Sequence, residues 1–336
     1  MRKGKRWLAA AVSAAMIVQS LASVGPVYAA DDGVSIADTF TDSSFRSYVS
    51  SNFDTDSNGY LSDAEISNVT SIDVSKCSPA ISSLNGVELF TNLSKLDCNE
   101  QSIRNLDIEN LENLEYIDVS SNRIDSLTLP VSAEKLTYLD ISGNKITSLT
   151  SLADYNNLVL LNANSTNLSS IDVSNMKGLK VLGVSGTTIS TLDLGSNMEL
   201  TTLYCDSMRS LPVLDVSGHE KLKNLYCAGA KSDSGVVVRS SITKLDVSGD
   251  IVLGSLDCSN SYVAELNIDN TPALTTLDCS NTRLTSIDVS KNTSLSYLDV
   301  SSNVLGAVDF TANTALRELY VKDTGINKLD VSTPVS

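Results

Sequence analysis

The sequence contains a single histidine, His219, in the turn-like segment Ser217-Gly218-His219-Glu220. Acid–base catalysis needs a positioned base beside a nucleophile, and the residues around this histidine supply no such pair. A zinc-protease motif and a phosphate-binding glycine loop are also absent from the sequence. The sequence therefore predicts a protein that is not an enzyme, in which His219 is an ordinary turn residue.

Basic residues are scarce as well. Lysine and arginine together number 24, against 40 aspartate and glutamate residues, so the formal net charge is −16. Nucleic acids and anionic lipid surfaces are bound mainly through lysine and arginine, so a chain with this balance repels both. We therefore exclude nucleic acid as a partner and expect cations to be better ones.

The sequence lacks the run of about twenty apolar residues that a membrane-spanning helix needs. Residues 1–30 instead combine a basic cluster at residues 2–6, an interrupted apolar stretch at residues 7–21 and small residues before Asp31. This pattern is typical of a secretory signal peptide, cleaved here after Ala29 or Ala30. Cleavage leaves 20 basic against 40 acidic residues. We expect a mature chain that is secreted or at the cell surface, with no segment inserted in a membrane.

A repeat of twenty-one residues fills most of the remaining chain, as the spacing of Leu274, Leu295 and Leu316 shows. About eleven copies cover residues 92–336. Each copy has two apolar clusters with alternating character, which indicates strands. A copy this short cannot bury its own apolar face, so the copies must stack into a solenoid with one continuous interior. Earlier copies begin at Leu93, Leu114, Leu136, Leu158, Leu179, Leu200, Leu222 and about Leu253.

These units resemble leucine-rich repeats of the short bacterial kind, in which LxxLxC or LxxLxL precedes an asparagine-like position and a second LxxLDV half. The resemblance implies a solenoid of stacked parallel strands and a binding role like that of internalin-like surface proteins. An insertion near residues 229–241 is expected to form a surface loop. The asparagine ladder is expected to be less uniform than in the family. It is kept at Asn122, Asn144 and Asn303 but replaced at Gln101, Thr166, Thr187, Thr282 and Thr324.

Five of the six cysteines occupy one inward position of the repeat. Neighbouring strands are close enough for a disulfide, but parallel inward side chains do not turn toward each other as the bond requires. We predict buried free thiols, with Cys205/Cys227 and Cys258/Cys279 as the pairs to check, and leave Cys77 unassigned. The column consists of Cys98, Cys205, Cys227, Cys258 and Cys279.

Residues 54–65 meet every constrained position of the EF-hand calcium loop, including the glycine at Gly59. Apolar residues at helical spacing before the loop predict a helix that enters it, capped by Thr41 or Asp42, and a short helix should leave it. Residues 31–91 are thus expected to form a small helical cap that binds Ca²⁺. The alternative is a capping box between Ser62 and Glu65 with a simple turn. The predicted ligands are Asp54, Asp56, Asn58, the Tyr60 carbonyl, Ser62 through water and Glu65.

The outward positions of the first strand in each copy form the best candidate binding surface. Its middle copies are less charged than its ends and carry tyrosines, whose large rigid rings suit recognition. The alternative is that aromatic residues simply favour strands. We name the candidate set the Tyr stripe; it comprises Tyr116, Tyr138, Leu160, Val181, Tyr204 and Tyr226.

A second column of aspartates, from Asp107 to Asp330, falls in the other half of the repeat. We expect these residues to be solvated and to bond nearby backbone. The favoured function is recognition of an extracellular protein or glycan; the alternative is a structural spacer that displays another domain. The repeats stop without a polar cap, so we expect a further domain or another molecule to cover that end.

Overall fold

The computed structural model describes residues 33–149, 152, 154–231 and 236–326. The predicted signal peptide at residues 1–30 and Asp330 lie outside the described residues. Within those ranges, none of the helices is long and apolar enough to cross a membrane.

The cap contains the two helices that were predicted around the calcium loop. The entering helix spans Ser43–Phe53, and its first free amides donate to the Asp42 carboxylate, 2.9 Å from the Ser44 nitrogen. The leaving helix spans Asp63–Asn68. A short helix at Ile36–Thr39 and a 3₁₀ turn at Val87–Leu89 complete the helical structure of the described ranges.

Twelve three-residue strands, stacked in parallel and in register, form the main sheet. The middle residue of each strand points into the apolar interior and the two flanking residues point outward. We call the two outward rows the first and third columns. The strands are Ser71–Asp73, Lys95–Asp97, Tyr116–Asp118, Tyr138–Asp140, Leu160–Asn162, Val181–Gly183, Thr202–Tyr204, Asn224–Tyr226, Ser255–Asp257, Thr276–Asp278, Tyr297–Asp299 and Glu318–Tyr320.

The solenoid begins one strand earlier than the repeat pattern predicts. Ser71–Asp73 lies inside the expected cap at residues 31–91, yet Ile72 pairs with Leu96 in the main sheet. Ile72 and Val74 are fully buried and continue the inward columns of Leu96 and Cys98. The repeat pattern depends on the first leucine of each copy, and this strand is preceded by Val69 at that position.

The remaining strands lie outside the main sheet. The insertion after Gly229 forms an antiparallel hairpin with exposed valines, consistent with the predicted surface loop. Its base is held by Arg239, which donates to the Ser261 carbonyl at 2.9 Å and to two oxygens of Asn281. The hairpin strands are Ala230–Lys231 and Val237–Val238. The other pairs are Val34–Ser35 with Tyr60–Leu61, Asn105–Asp107 with Ser126–Thr128, and Val213–Asp215 with Lys244–Asp246 and then Glu265–Asn267.

The asparagine ladder is present and uneven, as expected. Asn122 accepts from the Ile103 nitrogen at 3.0 Å and donates to the Cys98 carbonyl at 2.8 Å, so it joins two repeats. Thr166 is shorter and bonds only the Ala163 carbonyl of its own repeat, at 2.8 Å. Asn144 and Asn303 resemble Asn122, whereas Thr187 and Thr324 bond the carbonyl three residues back.

A second polar column, which the repeat pattern does not predict, runs through the carboxyl-terminal half. In the earlier repeats this inward position is apolar, at Leu111, Ala133, Tyr155 and Met176. From Asn197 onward it is polar and buried; Asn197 donates to the carbonyls of Val173 and Met176, both at 2.9 Å. We call this column the second ladder. Its members are Asn197, His219, Asp250, Thr271, Asn292 and Asn313.

His219 is therefore more than a turn residue. Its ring is buried, with Nδ1 2.7 Å from the Val216 carbonyl and Nε2 3.2 Å from the Leu194 carbonyl. In the next repeat Asp250 is fully buried and accepts from the His219 backbone nitrogen at 2.8 Å. The Asp250 Oδ2 atom has no partner among the described residues, and burial raises the pKa of this carboxyl to about 8.

All six cysteines are free thiols, as predicted for the column. The five column members are fully buried, and burial raises the pKa of each thiol. The second-half aspartates also behave as expected, because each described member accepts from a backbone nitrogen two residues ahead. These are Asp107, Asp172, Asp193, Asp215, Asp246, Asp288 and Asp309.

Candidate binding face and metal centre

The Tyr stripe lies on one face of the main sheet and is built from two tyrosine pairs. Tyr116 and Tyr138 occupy neighbouring positions of the first column, and their rings stack with centroids 4.2 Å apart and planes 11° apart. Leu160 and Val181 continue this column and are half-buried. The amino-terminal part of the stripe is therefore a straight row across four strands.

The second pair lies in the third column. Tyr204 and Tyr226 stack with centroids 4.9 Å apart and planes 4° apart, and they are 37% and 40% exposed. On its other side Tyr204 neighbours Gly183. A Cβ at Gly183 would lie 2.7 Å from the Asn162 Oδ1 atom, so the neighbouring amide occupies the space a side chain would need. The stripe thus changes columns beside Gly183, as the diagonal order of these residues in the repeat predicts.

Carboxylates flank the Tyr stripe. Asp118 and Asp140 lie on the same strands as the first tyrosine pair, and Asp257 is the register partner of Tyr226. Among the outward positions of the twelve strands, all of which lie in the described ranges, Lys95 is the one basic residue. The acidic ones are Asp73, Asp97, Asp118, Asp140, Asp257, Asp278, Asp299 and Glu318. Burial and the neighbouring carboxylates Asp73 and Asp118 raise the pKa of Asp97. The middle of the face is neutral and its ends are negative.

A further aromatic pair lies near the carboxyl-terminal end of the described solenoid and was not among the predicted site residues. Tyr297 in the first column and Tyr320 in the third have ring centroids 5.5 Å apart. Both occupy outward positions of their strands. Their contact across adjacent columns follows from the register between the strands Tyr297–Asp299 and Glu318–Tyr320.

The predicted calcium loop brings its carboxylates together. Asp54, Asp56 and Glu65 each offer one oxygen, and these three atoms lie within 4.8 Å of one another. Asp54 and Asp56 both accept from the Asn58 nitrogen at 3.1 Å. Gly59 has a φ of +86°, the left-handed conformation that the sharp turn of such a loop requires.

The loop is anchored by a strand from the start of the described chain. Tyr60 and Leu61 pair antiparallel with Val34 and Ser35, and Leu61 is fully buried. It is the one such loop among the described residues, and the strand Val34–Ser35 supplies its backbone partners. The Tyr60 side chain is exposed, which agrees with a role for its carbonyl rather than its ring.

The capping box between Ser62 and Glu65, which is the alternative to a calcium loop, is also present. The Ser62 hydroxyl accepts from the Glu65 nitrogen, and the Glu65 carboxylate accepts from the Ser62 nitrogen at 2.9 Å, so a capping box forms. Bonds from the Thr55 hydroxyl, the Ser62 nitrogen and the Thr55 nitrogen lower the pKa of Glu65 to about 2. Glu65 is thus ionised and held beside Asp54 and Asp56. Hard oxygen donors in this arrangement fit Ca²⁺.

The stacked short strands and the inter-repeat asparagines define a leucine-rich repeat solenoid. Models of the leucine-rich repeat match the sequence at residues 112–154, as two copies, and at residues 291–309. No curated protein sequence matches the chain.

Solved structures support the same fold. The functional domain of InlJ from Listeria monocytogenes, described as including a cysteine ladder, is 26% identical with a TM-score of 0.57, and the match covers 89% of this chain and 73% of that one. The internalin InlF from the same species is 20% identical with a TM-score of 0.65, covering 87% and 85%. YopM, a leucine-rich effector protein from Yersinia pestis, is 20% identical with a TM-score of 0.59, covering 73% and 65%. The chain is a leucine-rich repeat protein with internalin-like structural neighbours.

Proposed function

We propose that the chain is an extracellular binding protein that recognises a protein or a glycan through the outward face of the main sheet. Solenoids of this class commonly act as binding scaffolds, and the concave or flat strand surface is where partners contact them. The observation that carries the proposal is the exposed, stacked pair Tyr204 and Tyr226 in the neutral middle of an otherwise acidic face.

The energetics of aromatic residues favour this position. Tyrosine offers a large apolar area, a polar tip and little rotamer entropy to lose, and aromatic residues dominate the centres of protein interfaces. Stacking holds both rings in place before a partner arrives, which lowers the entropic cost of binding. The carboxylates at the two ends would then act as a polar rim that selects partners by charge.

The test is capture of partners on protein and glycan arrays by the mature chain. Replacing Tyr204 and Tyr226 by aspartate should reduce capture by at least thirtyfold, since each central aromatic is commonly worth about 2 kcal/mol. The matched control replaces Val213 and Val304 by aspartate. These valines are 48% and 78% exposed outside the main sheet, so the control has the same charge change and also removes exposed apolar residues.

Three outcomes decide between the interpretations. Loss of capture in the tyrosine variant alone supports the strand face, whereas equal loss in both variants assigns the effect to net charge. Absence of capture by the parent chain on both arrays would favour a structural spacer. Export is tested by sequencing the amino terminus of secreted protein, which should begin at Ala30 or Asp31.

We further propose that Ca²⁺ binds the loop at residues 54–65 and stiffens the cap. The proposal is supported by the convergence of Asp54, Asp56 and Glu65 within 4.8 Å. Asn58, the Tyr60 carbonyl and a water on Ser62 would complete the oxygen ligands. The cap packs its aromatic core, including the fully buried Phe40 and Phe45, at the start of the solenoid, so holding the loop closed would stabilise that end.

A further inference from the structure

Lys95 shows how the strand face holds a cation. Its ammonium nitrogen lies 3.6 Å from the Asp97 Oδ2 atom and 3.8 Å from the Asp73 Oδ2 atom. The same nitrogen lies 5.1 Å from the centroid of the Tyr116 ring. The site therefore consists of aspartates from two adjacent strands and a tyrosine from the strand that follows. Lys95 itself occupies the first column of the middle strand.

The same arrangement occurs near the other end of the sheet, with one difference. Asp257 and Asp278 are register partners in the third column, as Asp73 and Asp97 are. Tyr297 neighbours Thr276 in the first column, as Tyr116 neighbours Lys95. A threonine thus stands where the amino-terminal site has its lysine, and the longer side chain and its charge are missing.

Each of the two aspartates uses one carboxylate oxygen, Oδ1, to bond the backbone next to it. Asp257 and Asp278 each use Oδ1 to accept from the backbone nitrogen two residues ahead, at 2.9 Å. Asp73 also uses Oδ1 in this way, and its Oδ2 atom faces Lys95. Asp278 also bonds the Ser280 side chain, as Asp73 bonds that of Ser75. Parallel strands are about 4.8 Å apart, so the two carboxylates are neighbours in the third column, next to the strand that carries Tyr297. We name the space over Thr276 that these three side chains border the recess.

The electrostatics of this recess favour a cation. Burial, followed by the charges of Asp257 and Asp299, raises the pKa of Asp278. At Asp97 the charge of Lys95 partly offsets this effect, whereas at Asp278 the groups that lower the pKa are the hydrogen bonds from Ser280. A positive group that entered the recess would relieve repulsion that the folded chain alone leaves in place.

We infer that the recess formed by Asp257, Asp278 and Tyr297 accepts a lysine or arginine side chain of the bound partner. The inference rests on the proposed function and narrows it to a protein partner with a basic residue at this position. Paired carboxylates and an aromatic face suit an ammonium or guanidinium group. Two carboxylates and a ring do not provide the six to eight oxygens that Ca²⁺ takes, and a neutral sugar would leave the repulsion unrelieved.

The experiment uses the mature chain and the peptide Gly-Ser-Lys-Ser-Gly, titrated at low salt and followed by amide chemical shifts. Saturable shifts are expected at Thr276 and Asp278, with the arginine analogue acting similarly and the glutamate analogue producing none. Thr276→Lys places an internal ammonium in the recess and should weaken peptide binding at least tenfold. Thr191→Lys, at an exposed position outside the main sheet, has the same charge change and should weaken it less than twofold.

The reciprocal variant is Lys95→Thr, which removes the resident cation from the amino-terminal site. It should add a second saturable response, at Asp97 and Tyr116, and raise the number of bound peptides from one to two. Equal weakening by Thr276→Lys and Thr191→Lys, or binding of the glutamate peptide, would overturn the inference.

Failure of this inference can be told apart from failure of the proposed function. Capture of a neutral or acidic partner that requires Tyr204 and Tyr226, with no shifts from the lysine peptide, would leave the binding role in place and refute the basic-residue recess. Lysine-peptide binding at Thr276 without array capture would support the basic-residue recess and contradict the proposed binding role.

Discussion

Asp250 occupies a second-ladder position that is asparagine in three other repeats, and Asp250→Asn should change how stability depends on pH. The buried carboxyl accepts one bond, from the His219 nitrogen, and its Oδ2 atom has no partner in the described structure. An asparagine can keep the accepted bond through Oδ1. Its Nδ2 atom can donate to carbonyls of the preceding repeat, as Asn197 and Asn313 do.

The size and sign of the effect follow from the pKa. Burial raises the pKa of Asp250 from 3.8 to about 8 in the folded chain, and the unfolded chain has the ordinary value. Between these values the folded state keeps a proton that the unfolded state has lost, so parent stability falls as pH rises from about 4 to 8. The loss approaches about 1.4 kcal/mol per pH unit, or about 2.7 kcal/mol between pH 5 and 7. Asparagine does not titrate and escapes this loss.

Urea denaturation of both chains at pH 5, 6 and 7 measures the difference directly. The free energy of unfolding of Asp250→Asn should rise relative to the parent by about 2.7 kcal/mol across this range. Other raised carboxyls, such as Asp278, are common to both chains and cancel. Asp288→Asn is the control, because that aspartate is exposed with a lowered pKa and should give no trend over the same range. Parallel pH profiles for the parent and Asp250→Asn would refute the argument.

Two further outcomes are expected. Millimolar Ca²⁺ should raise the melting temperature of the parent chain but not that of Glu65→Gln. The control Asp63→Asn, an exposed change on the same helix, should respond like the parent. At a hundredfold excess of Ca²⁺ over Kd the stabilisation is about 2.7 kcal/mol. An unchanged parent melting curve would refute the metal site. Arg239→Ala removes the bonds to Ser261 and Asn281 and should speed hydrogen exchange of the hairpin amides at least tenfold, since each charge-assisted bond is worth about 1.5–3 kcal/mol. Arg283→Ala, which loses only its contact with the Tyr262 ring 4.2 Å away, should have a smaller effect, and equal rates in the two variants would contradict the assigned role of Arg239.

The proposed binding face has two distinct zones along its length. The neutral middle offers the exposed rings of Tyr204 and Tyr226, whereas the carboxyl-terminal end offers the recess at Asp257 and Asp278. Strands about 4.8 Å apart place these zones within reach of a single folded partner. A partner with an apolar centre and a basic residue toward one end would match both.

The twenty-one-residue spacing was enough to determine the fold, because each copy must bury two apolar clusters and only stacking does so. It also determined which residues face outward, hence the members of the Tyr stripe, and the free state of the column cysteines. The EF-hand pattern likewise specified the helix, loop and helix of the cap, which the structure contains at Ser43–Phe53 and Asp63–Asn68.

Only the tertiary structure decided how side chains meet across repeats. A repeat pattern assigns a residue to a column, but whether His219 and Asp250 are buried depends on how tightly neighbouring turns close over them. The likeness between the Lys95 site and the Thr276 recess is a likeness between triplets of adjacent strands, so no single copy contains it. The first strand at Ser71–Asp73 was missed for the same reason, since its membership rests on pairing with Lys95–Asp97. The local sequence determines whether a side chain points inward or outward, and contacts between turns determine its burial and its charged neighbours.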